Sequence, residues 1–195
     1  MNISNKDIDF LPLGGSGEIG MNCNLYHFSG SWIMIDLGVM FGNSNLSSNE
    51  LIMPNLNYLK EKEIKLSGII LTHAHEDHIG AVPYLYDFLD KPPMYTTSFT
   101  ASVLNRKFRS NGHKDININL LDYNQRFKIG NFEIEILALT HSIPEPNAIV
   151  LRANKTNIFH TGDWKIDPNP LVGQPIDEGK LTSLKKEGID VMICD

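Results

Sequence analysis

A chain of 195 residues with 42% hydrophobic and 21% charged residues is long enough to bury its own core, and its composition excludes disorder, collagen and coiled coil. No apolar run approaches the roughly 18 residues of a membrane span, and Met1 to Phe10 lacks the basic-then-apolar profile of a signal peptide. The net charge of −6 argues at face value against a nucleic-acid partner, although residues 1–97 carry all of it, with five Lys/Arg against eleven Asp/Glu.

Read in chain order, Ile8 to Leu13 is a short apolar strand stopped by Gly14 and Gly15. Asn22 to Phe28 and Trp32 to Asp36 flank Ser29-Gly30-Ser31 as a hairpin. Trp32 to Ile35 is apolar on both faces, which predicts a central strand covered on both sides. Phe41 to Met53 reads as a polar loop, Asn55 to about Lys62 as a short helix, and Leu66 to Leu71 as a strand. A helix is predicted from about Gly80 to Leu89, with Val82, Leu85, Tyr86 and Leu89 on one face. Tyr95 ends a short strand, and Ser98 is placed to cap a helix that buries Ala101, Leu104 and Phe108 and stops at Gly112. Ile116 to Leu121, Phe132 to Leu139, Asn147 to Ala153 and Thr156 to His160 read as strands, with a turn at Gly130-Asn131. A last helix, capped by Asp177 and ended by Gly188, feeds the strand Ile189 to Cys194. Strands dominate without strict βαβ alternation, so the expected fold class is α/β (α+β), sheets with helices on their outer faces. Cys23 and Cys194 both sit in apolar stretches and read as buried thiols of a reducing compartment.

Gly15-Ser16-Gly17-Glu18-Ile19-Gly20 matches the dinucleotide-binding pattern G-x-G-x-x-G, with Asp36 at the usual acidic position. The fifteen residues between Gly20 and Asp36 cannot hold both a helix and a strand, and read instead as strand, turn, strand. Without a helix N-terminus there is no dipole for a pyrophosphate. A tight glycine turn is the better reading.

The strongest signal is Thr72-His73-Ala74-His75-Glu76-Asp77-His78, directly after an apolar strand. In an extended loop alternate residues point the same way, so His73, His75 and Asp77 converge and His78 turns in as the next helix begins. The bland alternative is a solvated polar loop with incidental histidines. Three imidazoles and a carboxylate exceed the needs of one tetrahedral metal once distant ligands join, which favours two metals. Neutral imidazole with carboxylate suits zinc, Zn2+, with Mn2+ as the second option. His141 and Asp163 also follow apolar strands, and that shared position makes each a further ligand candidate. Asp36 ends a strand too and is read as a residue that orients a ligating histidine. His27, His113 and His160 are left as core, surface or orienting residues. Arg106, Lys107, Arg109 and Lys114 form a basic set that reads as the solvated face of its helix rather than an RNA contact.

The cluster resembles the H-x-H-x-D-H motif of the metallo-β-lactamase superfamily. Leu11-Pro-Leu-Gly-Gly-Ser-Gly-Glu-Ile-Gly-Met-Asn22, Thr72 to Val82, His141-Ser-Ile-Pro144, His160-Thr-Gly-Asp-Trp-Lys165 and Pro170-Leu-Val-Gly-Gln-Pro-Ile-Asp177 resemble the bacterial ribonuclease J family, particularly its alphaproteobacterial form. The resemblance implies an αβ/βα sandwich in which His73, His75 and His141 hold one zinc, Asp77 and His78 the second, and Asp163 bridges them. Asp36 would support the site, and Asp77 would double as general base, with His78 beside it in the catalytic pair. It implies cleavage of single-stranded RNA, both endonucleolytically and from a 5′-monophosphate end, in the cytoplasm, by a homo-oligomer in the full-length parent and without a membrane.

Family members continue into a β-CASP insertion. Residues 1–195 are therefore expected to be the N-terminal, incomplete part of the domain, with a remaining zinc ligand, the leaving-group acid and much of the RNA channel supplied by later sequence. Two other expectations stand beside this one: a thioester or lactone hydrolase of the same superfamily, and a non-catalytic metal-binding fragment.

Overall fold

The computed structural model describes residues 7–42, 50–113 and 116–194. In chain order its elements are β1 (Asp9–Gly14), β2 (Cys23–Phe28), β3 (Ser31–Ile35), β4 (Met40–Phe41), β5 (Leu51–Ile52), α1 (Asn57–Glu61), β6 (Leu66–Ile70), α2 (Glu76–Ile79) and α3 (Val82–Leu85). They continue as β7 (Met94–Thr96), α4 (Ser98–Ser110), β8 (Ile118–Leu120), β9 (Arg126–Ile129), β10 (Phe132–Ala138), β11 (Asn147–Ala153), β12 (Thr156–His160), α5 (Glu178–Glu187) and β13 (Val191–Ile193).

The strands form two main sheets, ordered β1-β2-β3-β6-β7-β8 and β13-β12-β11-β10-β9. Period-two alternation explains how they pack. Ile33 and Ile35 of β3 face the second sheet, where they meet Phe132, Ile134, Ile136, Ile149 and Leu151 in one buried cluster. Trp32 and Met34 of the same strand face the other way, against Tyr86, Leu104 and Phe108 under the helices. Burial on both faces is what an uninterrupted apolar run demands. On the far side of the second sheet, α5 lays Leu184 against Leu137 and Val150. The layers run helix, sheet, sheet, helix, as expected for the αβ/βα sandwich.

Several local expectations need correction. The helix expected from Gly80 to Leu89 is shortened to α3, and a separate short piece, α2, precedes it and begins inside the histidine motif. Ser98 is the first residue of α4 and not its cap: the Glu145 carboxylate accepts from the Phe99 amide at 2.8 Å and from Ser98 Oγ at 3.2 Å. Cys23 is buried, but Cys194 is exposed, because β13 is an edge strand with exposed Val191 and Met192. The loop after Met40 is bounded by the β4–β5 hairpin, and its centre lies outside the described residues, as does Lys114. Arg106 and Arg109 are exposed, whereas Lys107 leans on Glu76.

The glycine segment is a run of bends between β1 and β2, and β2 turns directly into β3. The nucleotide reading is excluded on that connection, since no helix follows the glycines.

Candidate metal centre

Strands β3 and β6 run parallel, so Asp36 and Thr72 leave the first sheet at the same end. On the second sheet His141 follows β10 and Asp163 follows β12. A bridge between Thr140 and Lys165 pins their loops together, with the Lys165 amide donating to Thr140 O at 2.8 Å. Asn147 Nδ2 donates to Thr72 O and ties the two sheets at this edge. Four loops far apart in sequence thus open at one end of the sandwich.

There the imidazoles converge. His75 Nδ1 lies 3.0 Å from His73 Nε2 and 3.1 Å from His141 Nε2. One proton satisfies only one of those contacts, whereas a cation accepts all three lone pairs. Asp163 Oδ2 lies 3.4 Å from His141 Nε2 and 4.0 Å from His73 Nε2. Its other oxygen, Oδ1, is 3.0 Å from His78 Nε2, and Asp77 Oδ2 is 3.7 Å from that same nitrogen. Two groups therefore have metal-holding geometry, His73–His75–His141–Asp163 and Asp77–His78–Asp163, with Asp163 common to both. The donors are nitrogen and oxygen only, the set that fits zinc or manganese.

The simple alternation expected of the motif ends at His75. His75 keeps an extended backbone and caps α2, so Asp77 and His78 project from a helical turn. Helical turning lets two consecutive residues both reach the second group.

Asp36 makes the arrangement rigid. Its carboxylate accepts from the Thr72 amide at 2.8 Å, from Thr72 Oγ1 at 2.8 Å and from His78 Nδ1 at 2.7 Å. The bond on Nδ1 leaves Nε2 of His78 facing the site. Asp36 pays with a left-handed backbone, φ 60°, that non-glycine residues seldom adopt. Charge follows geometry: burial pushes His73 down to about 3, the His78 charge adding to it. For His78 burial also disfavours charge, but Asp36 and Asp163 outweigh it and raise the imidazole to about 10. The Asp36 carboxyl is held below its ordinary value by His78 against the opposing effect of burial. The carboxylates thus favour positive charge on His78, while burial keeps His73 neutral and its lone pair available.

Residues 32–185 match the family model described as a beta-lactamase superfamily domain. The chain belongs to the beta-lactamase superfamily. Among curated relatives of this superfamily member, ribonuclease J of Sinorhizobium meliloti is 40% identical across 97% of the chain, which covers 34% of that protein. Ribonuclease J of Helicobacter pylori is 35% identical across 100% of the chain and 29% of its own length, and that of Thermus thermophilus is 32% identical across 96% and 34%. The chain thus spans about a third of the relatives it matches. The fold resembles that of the metallo-beta-lactamase fold protein YhfI from Bacillus subtilis, with a TM-score of 0.57 at 16% identity over 80% of this chain and 62% of that one. It also resembles a protein of unknown function from Enterococcus faecalis, with a TM-score of 0.61 at 19% identity over 80% and 43%.

Sequence reasoning missed several supports of the site. Asn22 places Nδ2 3.2 Å from His78 Nε2, and its backbone amide donates to Asp77 O. Gly38 lets the chain pass over α2: a Cβ there would sit 1.6 Å from Asp77 O. Tyr26 OH meets His160 Nδ1 at 2.8 Å, which makes His160 a buried orienting residue beside the site. Asn22 and Thr72 lay within the motif segments, but a carboxamide or hydroxyl carries no ligand signal by itself. Gly38 carried no signal at all. Among the described residues no helix is long and apolar enough to cross a membrane.

Proposed function

We propose that this chain is the metal-holding N-terminal part of a ribonuclease of the ribonuclease J type. The observation that carries the reading is Asp163 shared by two ligand groups, on a chain whose relatives of that name match it along nearly all of its length. His73, His75 and His141 would hold one Zn2+, or Mn2+, and Asp77 and His78 the other, with Asp163 between. Two such cations supply Lewis acidity that lowers the pKa of water and offsets charge on a phosphodiester. The protein's own residues then have distinct tasks. Asp77, half-buried at the mouth, takes the proton of the attacking water, while Asp36 keeps His78 turned toward the site. The substrate is single-stranded RNA, cut internally and from a 5′-monophosphate end, and the setting is a cytoplasmic homo-oligomer. The segments that grip RNA and protonate the leaving group belong to the remaining two thirds of the relatives' length.

The full-length gene product, loaded with zinc, is expected to release mononucleotides from 5′-monophosphorylated RNA. Asp77→Ala and His78→Ala should each abolish release while the protein stays folded by circular dichroism. Undiminished cleavage by both variants would overturn the reading, as would turnover of a model thioester without any RNA cleavage.

A further inference from the structure

The glycine segment that is not a nucleotide fingerprint still walls a cavity. A space of about 270 Å³ opens beside His78, bounded by Gly15, Gly17, Asn22, Asn24, His160 and Gly162. Strand periodicity puts Asn22, Asn24 and Tyr26 on one face of β2, the inner face of the sandwich. Tyr26 lies deep and is tied to His160, while the two asparagines approach the mouth.

Asn24 is the anomaly. It is 6% exposed, on a sheet face where an aliphatic side chain would pack, and its side chain makes no hydrogen bond to any described residue. Its carboxamide lines the cavity, so its N–H groups are open to an acceptor that enters there. Asn22 is 8% exposed and has its Nδ2 against the nitrogen that His78 turns to the site. Once that nitrogen binds a cation it has no lone pair to give, and the Asn22 N–H must find another acceptor. The left-handed Gly15 serves this arrangement, since a Cβ there would lie 2.2 Å from Asn22 Oδ1. The glycine is needed for the carboxamide beneath it and not for a pyrophosphate.

We propose that Asn22 and Asn24 form a subsite for the non-bridging oxygens of a phosphodiester, seated beside the Asp77–His78–Asp163 group. The inference rests on the phosphodiesterase reading and adds its substrate contact. Carboxamide N–H groups suit an oxyanion, and the described residues lining the cavity include no Lys, Arg, Asp or Glu.

The test uses the zinc-loaded chain labelled with ¹⁵N, titrated with dimethyl phosphate. The side-chain NH₂ signals of Asn22 and Asn24 should move as dimethyl phosphate is added. Loss of one such hydrogen bond in Asn24→Ala should weaken dimethyl phosphate binding by about fivefold, with zinc content unchanged. Asn24→Ser provides the same comparison if the alanine variant does not fold. Unmoved signals, or unchanged affinity in the variants, would overturn the subsite. RNA cleavage together with unmoved signals removes the subsite and leaves the ribonuclease reading. Moved signals together with a full-length gene product that never cuts RNA keep the subsite and remove that reading.

Discussion

His78 Nδ1 lies 2.7 Å from Asp36 Oδ2, although 42 positions separate the two residues. Both are about 1% exposed, and the same carboxylate collects both donors of Thr72. Asp36 thereby fixes Thr72, two residues after β6, and the last ligand of the histidine motif with one side chain. Replacing it by Asn introduces an NH₂ where three donors already point. Asp36→Asn should cost about 1–3 kcal/mol in urea unfolding. It should also lower metal content from two ions toward one, because Asp36 bonds His78 directly and touches the three-histidine group only through Thr72.

Metal should stabilise the fold. Ligands gathered from both sheets close only in the folded state, so zinc at about a hundred times its Kd adds about 2.7 kcal/mol. Differential scanning fluorimetry should show the melting temperature rise with zinc and fall back with EDTA. No change in either direction would contradict a metal centre built from these residues.

Glu145 links the His141 loop to the start of α4 by accepting from the Phe99 amide and Ser98 Oγ. It acts as a helix cap delivered from elsewhere in the chain. Glu145→Ala should lose about 1 kcal/mol of stability, and Glu145→Gln less, since a carboxamide oxygen still accepts. Denaturant midpoints of the three proteins test the ranking.

Gly38 passes close over the α2 backbone. A methyl group there would overlap Asp77 O at 1.6 Å, so Gly38→Ala has to push α2 outward. We expect a loss of about 3 kcal/mol and a defect confined to the Asp77–His78–Asp163 group. Metal stoichiometry falling toward one ion, with near-native circular dichroism, is the expected signature.

The far face of the second sheet holds a charge network. Arg152 donates to Glu187 at 2.6 and 3.0 Å and to the buried Glu135 at 2.8 Å. The hydrogen bond from Arg152 holds the Glu187 carboxyl below its ordinary value. A carboxyl with a lowered folded-state pKa stabilises above its unfolded pKa and loses that contribution as pH falls through the folded value. Stability should therefore drop on acidification below the ordinary carboxylate range, and Glu187→Gln should flatten that part of the profile. Urea midpoints across acid pH provide the measurement.

The sequence alone determined the elements whose physics is local. The apolar runs at Trp32 to Ile35 and Asn147 to Ala153, the Ser29-Gly30-Ser31 turn and the Asp177 cap all appear where their side chains require. The histidine motif announced a metal because its donors are dense enough to be seen without coordinates. Tertiary structure decided what depends on distance across the fold. Asp36 was expected to orient a histidine, but only parallel β3–β6 pairing selects His78, and Asn22 is a carboxamide like any other until the close pass at Gly38 brings it there. Glu145 replaced Ser98 as the cap of α4 because a carboxylate 46 positions away reaches the Phe99 amide. The opening charge argument changed for the same reason. Part of that negative charge, Asp36 and Asp77, is gathered by folding around His78, in a group whose geometry could hold a cation.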